Sequence, residues 1–167
     1  GVSDQIWAYA ELSLLEYKSM ELYCKVLAEN GFTVEKGLCK IPTAFSGTFG
    51  SGSPVIGILG EFDALSGLSQ KCGVAQREEL VPGGCGHGCG HNMLGAGSLA
   101  AAFAVKEYLE KTGKSGTVIF FGCPGEEGGA GKAFMARERA WEKLDAALSW
   151  HPGQFNQVTT GSCISCI

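Results

Sequence analysis

The six residues Val55-Ile56-Gly57-Ile58-Leu59-Gly60 leave no polar face anywhere along their length. Side chains alternate between the two faces of a strand, so a run that is apolar throughout reads as a central strand buried on both sides. The turn Gly50-Ser51-Gly52-Ser53-Pro54 leads into it, and Phe32 to Leu38 and Thr43 to Phe49 read as short strands before it. Further on, His91 to Lys111 is an alanine-rich helix, Thr117 to Gly122 a second buried strand, Ala130 to Arg139 a helix and Leu144 to Trp150 another strand. Strands alternating with helices predict an α/β layer fold with much parallel sheet. Upstream, Ile6, Tyr9, Ala10, Leu14, Tyr17, Leu22, Val26 and Leu27 recur at helical spacing, and Asn30-Gly31 supplies a stop. Residues 3 to 30 are therefore expected to form one amphipathic helix.

Composition narrows the partner. A chain of 167 residues with 45% apolar and 18% charged residues can bury a real core and does not read as disordered. A net charge of -4 without any Lys/Arg run gives no electrostatic footprint for nucleic acid or an anionic membrane. No window is long and apolar enough for a spanning helix, and the N-terminus has no signal-peptide pattern. The expected partner is a small molecule. The eight cysteines are scattered through a chain too large to need a disulfide scaffold, with Cys24 and Cys123 in apolar patterns typical of buried thiols. That usage predicts a reducing, cytoplasmic compartment.

From Ser66 to Gly90 nothing is periodic and glycine accumulates, a loop of the length that is usually functional or disordered. It ends in Gly86-His87-Gly88-Cys89-Gly90-His91-Asn92, where glycines let the backbone turn tightly around candidate ligands. Cysteine and histidine are the usual zinc ligands. A lone histidine here would read as incidental, but two histidines and a cysteine within five residues favour a metal. Glu61-Phe62-Asp63, Glu126-Glu127 and His151 each follow a predicted strand, on the edge where open α/β sheets build their sites. Glu126 and Glu127 have no basic neighbour nearer than Lys132. They read either as solvated loop charges or as a ligand and a general base.

Other chemistries lack their motifs. Gly131-Lys132 resembles the end of a phosphate loop, but the spacing to Gly125 is one residue too long and Ala133 replaces the required Ser or Thr. There is no Gly-x-Ser-x-Gly elbow, and no Gly-x-Gly-x-x-Gly follows a strand.

The segments Gly60-Glu61-Phe62-Asp63-Ala64-Leu65, Gly86 to Gly95 and Pro124-Gly125-Glu126-Glu127-Gly128-Gly129 together resemble a metallopeptidase family. That family contains aminoacylases, glutamate carboxypeptidases and the auxin-conjugate and hippurate amidohydrolases. The match looks closest to a branch acting on aminobenzoyl-glutamate and covers nearly the whole chain. It implies a three-layer α/β/α sandwich with a mostly parallel central sheet and a di-metal site. Residues 1–158 would form the N-terminal part of the catalytic domain, and residues 159–167 the start of a strand leading into a dimerisation domain. The resemblance further implies two divalent ions, zinc or manganese with cobalt as an alternative, bridged by Cys89 and held by His91, Glu127 and His151. Glu126 would be the general base that deprotonates the attacking water, and Asp63 an acid that steadies the site. Glu61, which replaces a histidine or aspartate of several relatives, stays outside the expected ligand set. The implied reaction is hydrolysis of aminobenzoyl-glutamate to aminobenzoate and glutamate, in a homo-oligomer or beside a homologous partner chain. Because the family's final histidine ligand would lie beyond Ile167, the 167-residue chain alone is expected to be silent.

Two rival readings follow from the same residues. One is a non-enzymatic zinc module pairing Cys85 and Cys89 with Cys163 and Cys166, although Cys163-Ile164-Ser165-Cys166 alternates like a strand and would turn its thiols to opposite faces. The other is a short, non-catalytic relative that keeps the fold and serves as a metal-binding or subunit partner.

Overall fold

The computed structural model describes residues 1–155 and Val158, so the expectations for residues 159–167, Cys163 and Cys166 lie outside the described residues. Ten elements follow in order: α1 (Val2–Tyr9), α2 (Tyr17–Glu29), β1 (Thr33–Lys36), β2 (Phe45–Ser51), β3 (Val55–Gly60), α3 (His91–Thr112), β4 (Gly116–Gly122), α4 (Glu126–Gly129), α5 (Gly131–Arg137) and β5 (Ala146–Leu148). A single 3-10 turn, Leu38–Lys40, lies between β1 and β2.

Alternation along the two most apolar strands builds the layers. Ile58 of β3 and Val118 and Phe120 of β4 enter one core with Tyr23, Leu27, Leu99 and Ala102 from α2 and α3. Leu59, Ile119 and Phe121 point the other way, toward Met135 of α5, Ala44 and Cys123. Helices therefore cover both faces, giving the α/β/α arrangement. On the larger side Tyr23 is wholly buried, with the rings of Phe45, Phe62 and Phe120 at 5.8, 5.7 and 5.6 Å. Such aromatic pairs add about 0.5–1.5 kcal/mol each beyond their burial.

The sheet runs β1-β2-β4-β3-β5. It is mixed: β3 pairs parallel with β4 and with β5, while β2 pairs antiparallel with β4 and β1. Because Gly60 is opposite Gly122, β3 and β4 end level with each other, and the Cys123 N–H extends the ladder to the Gly60 carbonyl at 2.8 Å.

Residues 3 to 30 do not form the single helix their periodicity predicts. Ala10 closes α1 in the left-handed region at φ 43, Leu14 repeats that conformation at φ 64, and α2 starts only at Tyr17. The intervening segment instead follows the chain just beyond β3, where Leu12 bridges Ala64 and the Ala64 N–H donates to the Glu11 carbonyl at 2.8 Å. The Glu11 carboxylate then accepts the N–H groups of Lys18 and Ser19 at 3.0 and 2.8 Å, closing the start of α2 with a negative charge at its positive end. The expected helix over 130–139 is likewise shorter, Gly131–Arg137, and the expected strand over 144–150 is Ala146–Leu148.

Gly122 has no room for a side chain: a β-carbon there would lie 1.9 Å from the Phe45 ring. Gly122→Ala should lower unfolding stability by roughly 1–3 kcal/mol, the usual cost of overpacking. Chemical denaturation measures it, and an unchanged midpoint would show that Phe45 yields freely.

Candidate metal centre

The three parallel strands end on one edge and deliver acids and a histidine there. Glu61 and Asp63 follow β3, Glu126 and Glu127 open α4 after β4, and His151 comes three residues after β5. The remaining groups arrive from the long loop. Gly86 is paired through both backbone groups with Leu65, at 2.9 and 3.0 Å, which anchors the loop's end beside Asp63. Gly90, at φ 83, then turns the chain into α3, whose first residue is His91. Gly125 makes the corresponding turn before the glutamates at φ 69, with Leu14 packed where a side chain would project.

Asp63 is buried and holds three segments together. Its carboxylate accepts the His91 Nδ1–H at 3.0 Å, the Ser13 hydroxyl at 2.7 Å and the Glu127 backbone N–H at 2.9 Å. Burial alone would raise its pKa, but the hydrogen bonds from His91, Ser13 and Glu127 outweigh it and keep the acid ionised. Asp63 thus fixes the His91 ring and leaves Nε2 directed into the site. Behind it, buried Glu16 accepts the Gly125 N–H at 2.9 Å and the Leu14 N–H at 2.8 Å.

Around the wholly buried His91, Nε2 lies 3.0 Å from Glu61 Oε2, 3.8 Å from Glu126 and 4.0 Å from Glu127 Oε1. His91 Nε2, Glu61 Oε2 and Glu127 Oε1 are all buried, and none makes a well-directed hydrogen bond. His151 donates Nδ1–H to the Pro152 carbonyl at 2.9 Å, which turns its Nε2 toward Cys89 Sγ at 3.3 Å. Its position depends on Trp150, which donates to the Leu94 carbonyl at 3.2 Å and packs over Gly97 of α3. Two sets of donor atoms, from Cys89, His91 and His151 and from Glu61, His91 and Glu126, each lie within 4.8 Å of one another.

The donor set suits divalent cations. Orphaned lone pairs at 3–4 Å spacing fit ligands that each sit about 2.0–2.3 Å from a shared ion. Electrostatics agrees: despite burial, the hydrogen bonds and charges of Asp63 and Glu61 raise the pKa of His91 to about 10, a measure of how strongly the negative charge concentrated here favours a cation. Burial and the neighbouring carboxylates push the Cys89 thiol up to about 11, and it needs a cation beside it to ionise.

Of the residues singled out from the sequence, Cys89, His91, Glu126, Glu127 and His151 meet around the donor cluster, with Asp63 behind it. His87 does not join them, because its Nε2 bonds to the Ile6 carbonyl of α1 at 3.0 Å. Two participants are not visible in the sequence: Ser13 and Glu16 are hidden by the helical periodicity. Glu61 is visible there, on the site edge but outside the expected ligand set, and spacing of two in an extended segment puts it on the side of Asp63.

Residues 57–163 match peptidase family M20/M25/M40. The chain belongs to that family. One relative, a subunit of the p-aminobenzoyl-glutamate hydrolase of Escherichia coli, is 52% identical over 162 residues, which is 95% of this chain and 34% of that protein. The N-acetyl-L-cysteine deacetylase of Bacillus subtilis is 29% identical over 90% of the chain and 35% of its own length. The chain thus spans about a third of these relatives. Among solved structures, a Bacillus subtilis dinuclear metal-binding peptidase of the M20 family superposes with a TM-score of 0.71 at 23% identity, covering 86% of this chain and 39% of that one. An aminobenzoyl-glutamate utilization protein from Klebsiella pneumoniae gives 0.67 at 16% identity, covering 91% and 42%. At those identities the likeness is one of fold.

Asp63→Asn keeps the shape but removes the charge that orients His91. Zinc affinity, measured by titration calorimetry, should fall by about 10–100-fold. An affinity equal to the parent's would show that His91 does not depend on Asp63.

Proposed function

We propose that the protein is a metal-dependent amidohydrolase that cleaves the amide bond of an N-acyl amino acid, with aminobenzoyl-glutamate as substrate and aminobenzoate and glutamate as products. The observation that carries this is the meeting of Cys89, His91, Glu127 and His151 with the more open Glu126 on one sheet edge. Similarity to the E. coli hydrolase chain supports the substrate, and the dinuclear peptidase of the same fold supports two ions. Cys89, His91, Glu127 and His151 would hold them. A thiolate among imidazole and carboxylate ligands favours zinc, and manganese and cobalt also suit the set. When bound, such ions supply Lewis acidity, lowering the pKa of a water and polarising the scissile carbonyl.

The residues themselves divide the remaining work. Both glutamates lie within 4.0 Å of His91 Nε2, but Glu127 has 17% of its side chain exposed and Glu126 42%, so Glu126 is the more accessible to an arriving substrate. Glu126 accepts the proton of the attacking water and returns it to the leaving amide nitrogen. Asp63 keeps the His91 ring from turning, and the carbonyl of Pro152 does the same for His151. Residues 1–158 are read as part of the catalytic domain of a cytoplasmic enzyme. It works as a homo-oligomer or beside a homologous partner chain, and the naming of the E. coli relative as a subunit favours a partner chain. No helix among the described residues is long and apolar enough to cross a membrane.

Glu126→Gln should slow glutamate release from aminobenzoyl-glutamate by about a hundred to ten thousandfold with zinc content unchanged. Loss of metal in that variant would make Glu126 a ligand. Wild-type protein that spares aminobenzoyl-glutamate while cleaving neutral N-acyl amino acids would overturn the substrate assignment.

A further inference from the structure

Resting on the metal-centre reading above, we infer that Glu61 is itself a ligand of one of the ions, sharing it with His91, and that the Lys132 ammonium on its other oxygen competes with that ion for its charge. The two oxygens of Glu61 have different surroundings. Oε1 is ion-paired with the Lys132 ammonium, which reaches in from the first turn of α5. Oε2 is buried, lacks a directed hydrogen bond and sits 3.0 Å from the equally unpartnered Nε2 of the wholly buried His91.

An ion pair with Lys132 accounts for one oxygen, and the other has only the poorly directed contact with His91 Nε2. Leaving the other buried without a donor costs about 1–3 kcal/mol, more for a charged group. A cation between Oε2 and Nε2 removes that cost. Two ligands each about 2.0–2.1 Å from a tetrahedral zinc lie roughly 3.4 Å apart, within a few tenths of an ångström of what the pair already shows. Charge gives the same answer. Glu61, Asp63, Glu126, Glu127 and a Cys89 thiolate, set against Lys132, leave four negative charges around a neutral His91, and two divalent cations balance them.

The test is zinc titration of the purified protein, with the visible spectrum of the cobalt-loaded form as a readout of coordination. Glu61→Gln should weaken binding of one ion at least tenfold and alter the cobalt bands. Lys132→Met, which frees the carboxylate from a competing ammonium, should tighten binding several-fold. Opposite shifts support direct ligation. Equal losses in both variants, or no change in either, would reduce the pair to a structural ion pair. Should Glu61→Gln fail to fold, Lys132→Met decides, and weakened or unchanged binding in it overturns the inference. Wild-type protein that takes up no zinc refutes the whole centre, whereas wild-type and Glu61→Gln proteins that bind alike refute only Glu61.

Discussion

Three stretches of chain far apart in sequence meet on the buried carboxylate of Asp63: Ser13 between the first two helices, His91 at the head of α3, and Glu127 after β4. Hydrogen bonds to an ionised acceptor contribute about 1.5–3 kcal/mol each, and a buried charge that lost them would be strongly destabilising. The geometry of the site depends on this one acid. It sets the His91 ring, fixes the backbone from which Glu127 projects, and draws residues 11–16 off a helical path to form the back wall. Glu16 completes that wall by holding the Gly125 turn.

The same region concentrates acid beyond what its own bases neutralise. Glu61, Glu126 and Glu127 crowd the free nitrogen of His91, with Lys132 as the nearby ammonium. A fold does not keep orphaned buried carboxylate oxygens beside an orphaned imidazole nitrogen without a reason. Divalent cations supply one, and also account for a cysteine whose thiol stays protonated until a positive charge arrives.

Some features were legible in the sequence because a single local rule governed them. Val55–Gly60 is apolar on both faces, and β3 occupies those residues between two parallel neighbours. The ends of the expected strands then placed Glu61, Asp63, Glu126, Glu127 and His151 on one edge from pattern alone. What stayed hidden was set by tertiary contacts. No glycine or proline interrupts residues 2–29, so nothing local reveals the break at Ala10 to Glu16, which follows from pairing with Ala64 and bonding to Asp63 and Gly125. The two histidines of the glycine segment also look equivalent in sequence. Only the position of α1 sends His87 to the Ile6 carbonyl and leaves His91 to the site.

Anomalous diffraction from a zinc-loaded crystal tests the central claim most directly, because it locates the ions independently of activity. The account predicts two zinc peaks on this sheet edge, one about 2.0–2.1 Å from His91 Nε2 and one about 2.3 Å from Cys89 Sγ. Zinc bound only elsewhere on the protein, with His91 Nε2 still facing the bare carboxylates, would contradict it.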